Sequence, residues 1–130
     1  MQGNYSVQIE HFAERHFIKS FEKKYKNSWD LTLKAIIGML ERIDALLLTD
    51  KAETICDIGD IKIIKTEFRV FNTKESAKTS GNRCIVAWHQ EKKFVSILLV
   101  YSKTDLSGSN ETAEWKNIIR DNYPQYSEFF

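Results

Sequence analysis

The sequence predicts an α+β domain: an N-terminal strand and a helical hairpin packed on a small, mainly antiparallel β-sheet, with a C-terminal helix. Three observations predict it. Apolar residues recur at helical spacing between His11 and Leu47. Three β-branched and aromatic runs follow at 61–71, 83–89 and 94–101, divided by polar segments. A last helical pattern then occupies the stretch after Asn110. Helices segregated from strands in this order, β-α-α-β-β-β-α, make an α+β layer arrangement rather than alternating β-α units. The length of 130 residues, with 42% hydrophobic and 28% charged, suits one domain over 1–130 that folds without disulfide or metal.

Each element has a local reason. Ser6-Val7-Gln8-Ile9-Glu10 alternates and reads as a short strand. Phe12, Phe17, Phe21 and Tyr25, with Glu14, Arg15, Lys19, Glu22 and Lys23 between them, make an amphipathic helix to about Lys26. Asn27-Ser28 offers a turn and an N-cap, and Asp30 suits the positive end of the next helix. That helix carries the stripe Leu33, Ile36, Ile37, Leu40, Ile43 and Leu47, and so short a turn implies an antiparallel hairpin. Residues 49–60 are polar, a connecting loop or an irregular edge strand. In the run 61–71, Ile64, Thr66, Phe68 and Val70 form one face, and Lys65, Glu67 and Arg69 the other. Residues 72–82 read as a mobile hairpin loop. In the run 83–89, Cys84, Val86 and Trp88 share a face, and Gln90-Glu91-Lys92-Lys93 turns the chain. The near-continuous apolar run from Val95 to Val100 marks a strand covered on both faces. Residues 105–110 are loop. Asn110 caps the last helix, with Glu111 and Glu114 in its first turn, Trp115, Ile118 and Ile119 as its stripe and Pro124 as its stop. The aromatic tail 124–130 has no pattern that places it.

Much chemistry is excluded. No stretch approaches the roughly 20 apolar residues of a membrane helix, and no secretory signal is readable, so a cytoplasmic protein with no membrane partner is expected. Cys56 and Cys84 stand apart, without zinc-ligand spacing, and read as free thiols. Neither a phosphate-binding glycine loop, nor a zinc-protease motif, nor a nucleophile elbow is present. His11 and His16, five apart, are poorly placed for a metal, and His89 closes a strand beside a turn. No cofactor is expected.

The charge distribution carries the functional signal. The net charge is only +1, yet residues 61–103 hold nine basic groups (Lys62, Lys65, Arg69, Lys74, Lys78, Arg83, Lys92, Lys93, Lys103) against three acidic ones. Lys65 and Arg69 share a strand face, roughly 13 Å apart. Antiparallel pairing puts the end of the first of the three strands, the start of the second and the end of the third at one sheet end. Arg69, Arg83 and Lys103 are therefore expected to converge there, with Lys65 further along, Tyr101 on the same side, and the loop bearing Lys74 and Lys78 overhanging. Taken singly, each lysine is an ordinary solvated strand position. Taken together, such cations favour a bound anion, and RNA supplies one whose phosphate gains charge during cleavage. Arginine offers a bidentate fork, while a lysine depressed by like charges can act as a base on a ribose 2′-hydroxyl. Tyr101 can stack on a base or share in proton transfer.

Three stretches also resemble the RelE/ParE superfamily of toxins from toxin–antitoxin modules. Phe17-Ile18-Lys19-Ser20-Phe21-Glu22-Lys23-Lys24-Tyr25 is similar to the family's opening helix. Gly81-Asn82-Arg83-Cys84-Ile85-Val86-Ala87-Trp88 is similar to its arginine-bearing strand, and Leu98-Leu99-Val100-Tyr101-Ser102-Lys103-Thr104-Asp105 to its last-strand ending. The resemblance implies a small RNase-like fold, a tight complex with a cognate antitoxin, and, for the RelE branch, metal-independent cleavage of mRNA on the ribosome with the 2′-hydroxyl as nucleophile. It implies catalytic roles for Lys65, Arg69, Arg83 and Lys103; the charge and strand reading adds Tyr101 to that expected catalytic set and expects Lys62, Lys74 and Lys78 to contact RNA. Arg83 matches the phosphate-stabilising arginine. Glu67 interrupts the basic face, and the family's last-helix tyrosine or histidine has no match here; Trp115 and Tyr123 are the nearest aromatics. The alternatives are a ParE-like inhibitor of DNA gyrase that cuts no RNA, and a non-catalytic RNA- or partner-binding module.

Overall fold

The computed structural model of the chain describes residues 4–106 and 110–130. Its elements are β1 (Ser6–Ile9), α1 (His11–Ala13), a π-helical turn (Glu14–Ile18), α2 (Lys19–Tyr25), α3 (Asn27–Leu40), α4 (Ile43–Leu46), β2 (Ala52–Ile58), β3 (Ile61–Glu67), β4 (Asn82–His89), β5 (Phe94–Ser102), α5 (Glu111–Asn122) and a 3-10 tail (Pro124–Phe129). The sheet order is β1-β5-β4-β3-β2. Every pairing is antiparallel except β1 on β5. The chain is therefore the expected α+β domain. Part of the loop expected at 105–110, residues 107–109, lies outside the described residues.

Both faces of the sheet are covered, so there are two cores. On one face, Ile64, Phe68, Cys84, Val86, Trp88, Val95, Ile97 and Val100 meet α2, α3 and α4. On the other, Ile63, Ile85, Ala87, Leu98, Leu99 and Tyr101 meet α5 and the tail through Trp115, Ile119, Tyr123 and Tyr126. β5 lies between β1 and β4, as its near-continuous apolar run implies. It pairs with β4 as Ile85↔Leu99 and then Val86↔Ile97, so Leu98 is an extra residue. The bulge shifts the alternation: Val95 and Ile97 face one core, Leu98 and Leu99 the other.

The N-terminal helix serves both cores. Phe12 and Phe17 are five apart, a spacing that a regular α-helix turns apart by roughly 140°. The intervening π-turn widens the helix and brings their rings to 6.0 Å. Both then pack with the α5 core, while Ile18 and Phe21 join the other.

Several local readings change. Asn27 and Ser28 do not cap α3 through their side chains; Asn27 is already its first residue. The break is the single residue Lys26, held at φ +50°. It folds Phe21 onto Trp29, stacked at 4.7 Å, and both rings approach Phe68. The buried stripe of α3 is Trp29, Thr32, Ile36 and Leu40, and the helix stops before Ile43, which opens α4. Of the two readings of residues 49–60, the irregular edge strand holds: β2 pairs with β3 and bulges at Ile55. Its residues Glu53 and Asp57 are exposed, so an apolar pattern alone left both readings open. The strand expected to reach Phe71 ends at Glu67, because the chain turns off the sheet after Phe68 donates to the Asn82 carbonyl (3.2 Å). The tail is placed: its Tyr126 hydroxyl bonds His89 Nε2 at 2.7 Å, so His89 is a half-buried packing residue, also stacked on Phe94 at 4.1 Å. Burial keeps the His89 imidazole below its ordinary pKa. Both cysteines are free, and burial pushes the Cys84 thiol up to about 12.

Candidate active site

The sheet end formed by β3, β4 and β5 holds a row of three polar side chains. The register pairs Glu67 with Arg83 and Arg83 with Tyr101, so the three lie side by side on the α5 face. Alternation put Glu67 and Tyr101 on that face. The β3–β4 register aligned them with Arg83, and the Leu98 bulge fixed Tyr101's parity.

Arg83 sits beneath the start of α5, its side chain only 9% exposed. Its Nη2 is 3.2 Å from Glu67 Oε2, and its Nη1 donates to the Asn82 carbonyl at 3.1 Å. Asn110 caps α5 by accepting from the Ala113 amide (3.1 Å), and the next residue, Glu111, reaches into the row. The Tyr101 hydroxyl donates to Glu111 Oε2 at 2.6 Å, and the same oxygen is 3.9 Å from Arg83 Nε. That Nε is buried without a hydrogen-bond partner. Burial first, then the bond to Glu111 and its charge, hold the Tyr101 phenol well above its ordinary pKa. Sequence reasoning missed Glu67 as an Arg83 partner and missed Glu111 entirely, beyond noting it as a first-turn acid. The β3–β4 register contained the signal for the first; only the docking of α5 reveals the second.

The other predicted residues surround this row unevenly. Lys65 and Glu67 line an open cleft of about 340 Å³ with Asp50, Lys51, Glu53 and Lys78. Lys78 is tied to Asp50 at 3.0 Å. An adjoining groove of about 430 Å³ shares Lys51 and Glu67 with it and includes Arg69. Lys103 is exposed just past β5; its amide donates to the Gly81 carbonyl at 2.8 Å and its aliphatic stem lies against Gly81. Gly81 has φ +78° and leaves room for that stem. Arg69 follows the Phe68–Asn82 bond, so the backbones of Arg69, Arg83 and Lys103 reach the same sheet end, Arg83 inside and the other two exposed. Lys62 points to the opposite face, its ammonium 6.0 Å from the Trp88 ring, and Lys74 is exposed on the 72–81 loop. Among the described residues, no group of His, Cys, Asp and Glu is assembled to hold a metal ion, and no helix is long and apolar enough to cross a membrane.

The arrangement can do specific chemistry. Glu67, 21% exposed, gives the cleft a carboxylate whose far side is fixed by Arg83. Lys51, Lys65 and Lys78 line the same cleft, with Asp50 and Glu53 between them. A carboxylate beside cations in a cleft of about 340 Å³ is suited to deprotonating a hydroxyl next to a bound anion.

No protein-family model matches the sequence, and no curated protein matches it significantly. Among solved structures, the archaeal RelE–RelB complex from Pyrococcus horikoshii OT3 contains a similar chain, with a TM-score of 0.54 and 14% identity. The match covers 79% of this chain and 99% of that one. At that identity the likeness is one of fold, and the chain has a RelE-like fold.

Proposed function

We propose that this chain is the toxin of a toxin–antitoxin pair and cleaves mRNA on the ribosome, in the cytoplasm, without metal. The RelE-like fold carries the reading, together with cationic groups gathered around Glu67 and Arg83 at one sheet end. The complex of the structural neighbour motivates the partner: a cognate antitoxin.

In this reading the scissile phosphate enters the cleft beside Lys65. The ribose 2′-hydroxyl gives its proton to a base while its oxygen attacks phosphorus. The P–O5′ bond breaks and the leaving O5′ takes a proton from solvent, giving a 2′,3′-cyclic phosphate and a 5′-hydroxyl. The sequence alone put Lys65 or Lys103 forward as that base. A carboxylate such as that of Glu67, which lines the cleft, is better suited, because it accepts a proton without first losing one. Lys65, Arg69 and Lys103 then hold the phosphate, Arg83 stabilises the developing charge, and Tyr101 supports the site. Lys62, Lys74 and Lys78 contribute longer-range attraction to RNA.

The test is purified chain with translating prokaryotic ribosomes and mapping of mRNA ends. Cuts within codons that need the ribosome are expected, and their loss in Lys65→Ala and Arg69→Ala, since neither side chain belongs to the core. An uncut message combined with inhibited DNA gyrase overturns the reading in favour of a ParE-like action. An uncut message with salt-sensitive RNA binding overturns it in favour of a non-catalytic module.

A further inference from the structure

We propose that Glu111 is an internal stand-in for a phosphate. Its carboxylate occupies the anion position between Arg83 and Tyr101, and the first turn of α5 must loosen before that pocket accepts an RNA phosphate. The inference rests on reading this sheet end as the phosphate site and concerns how access to it is governed.

Three observations carry it. First, the Arg83 side chain is 91% buried, yet its Nε–H has no acceptor within hydrogen-bond distance. A buried guanidinium N–H without a partner is costly, and this nitrogen lies 3.9 Å from Glu111 Oε2. Second, the carboxylate fits the pocket poorly. One oxygen, Oε2, serves Tyr101 at 2.6 Å and stands 3.9 Å from Arg83 Nε. A phosphodiester presents two non-bridging oxygens in different directions, so it satisfies both donors at once. Arg83 keeps Glu67 on its Nη2 side, which leaves the Nε edge as the open half of its fork. Third, the contact is at a place that can yield. Thr112 and Ala113 are exposed, and the turn is closed by the Asn110 cap to Ala113 (3.1 Å) and the Glu114 amide to the Asn110 carbonyl (3.1 Å). Trp115 and Ile119, both fully buried, anchor the rest of the helix. The first turn can fray without losing the core.

The test uses the full chain and an uncleavable trinucleotide with 2′-deoxy ribose at its centre. Glu111→Gln keeps an acceptor for Tyr101 but removes the charge, and is expected to bind the probe about tenfold more tightly, one charge-assisted hydrogen bond's worth. Glu128→Gln makes the same charge change on the exposed tail and is expected to bind as wild type. Asn110→Ala, which keeps Glu111 but weakens the cap, is expected to bind more tightly in the same direction. The Arg83 Nε–H resonance of Glu111→Gln is expected to shift on titration with inorganic phosphate. The proposal is overturned if Glu111→Gln folds and binds like Glu128→Gln, if Asn110→Ala shows no gain, or if the gain survives in Glu111→Gln/Arg83→Lys. The ribosome assay stands apart: tighter probe binding without cleavage removes the nuclease reading alone, and cleavage without tighter binding removes the stand-in alone.

Discussion

Replacing Arg83 with Met keeps an unbranched apolar stem and deletes the charge and the guanidinium. Breaking one side of a buried ion pair costs about 3–5 kcal/mol, because the remaining charges are left without a counter-ion. Here the partners are not deeply buried: Glu67 is 21% and Glu111 23% exposed, so water screens part of the loss. Arg83 already carries one unsatisfied N–H, whose removal returns part of the cost. About 2–3 kcal/mol of destabilisation at neutral pH remains. With an unfolding entropy of roughly 0.27 kcal/mol/K for a chain this long, that is a fall in Tm of about 7–11 °C. Urea and thermal unfolding followed by tryptophan fluorescence measure it. Double-mutant cycles with Glu67→Gln and Glu111→Gln apportion it: coupling to Glu67, at 3.2 Å, should reach about 1–2 kcal/mol and exceed coupling to Glu111, at 3.9 Å without a hydrogen bond. A variant within about 0.5 kcal/mol of wild type, or the reverse order of couplings, refutes the argument. One practical consequence is that loss of the proposed activity in an Arg83 variant would mix folding with chemistry. Lys65 and Arg69 are the cleaner probes of activity.

Two further outcomes follow from the same coordinates. Tyr101, Tyr123 and Tyr126 have phenols pushed above their ordinary pKa, by burial first. The native state therefore holds protons that the unfolded chain releases above about pH 10, as the Cys84 and Cys56 thiols, also raised by burial, hold theirs from about pH 9; stability should fall as pH rises through 9 and more steeply above 10, by up to about 1.4 kcal/mol per pH unit per group. Urea midpoints from pH 9 to 11 check the sign, and Tyr101→Phe is expected to make the slope above pH 10 shallower. Gly81→Ala forces a Cβ onto a backbone at φ +78° and to within 3.3 Å of Lys103 Cδ. The flexible lysine can give way, so the cost is mostly backbone, about 1 kcal/mol, and Gly81→Asn should cost less. Thermal unfolding of the two variants ranks them.

The sequence made the central strands legible because burial on both faces leaves an unbroken apolar run, as in Val95 to Val100. The α5 helix was legible because Asn110, two early glutamates and Trp115 mark its start and its inner side. Features set by partners in space were not. β2, polar because it lies at an edge, was legible only as one of two alternatives. β1 is parallel to β5, a pairing that four alternating residues cannot specify. The tail docks through Tyr126 on His89, two residues with no sequence relation. The candidate site divides the same way. Strand arithmetic brought Arg69, Arg83 and Lys103 to one end, but it treated every charge as solvated. The burial of Arg83 between Glu67 and Glu111 needed the third dimension.

Leu98 deserves its last word through what a single codon controls. Between Ile97 and Tyr101 the strand carries one amino acid more than its neighbour β4 requires, and housing that surplus as a bulge keeps the phenol of Tyr101 opposite Arg83. Were Leu98 drawn into an even ladder instead, every residue beyond it would slip by one and the hydroxyl would look to the far side, whereas deleting Leu98 would let the two strands pair evenly with Tyr101 still beside Arg83. The corner therefore tolerates losing an oily residue better than it tolerates straightening one.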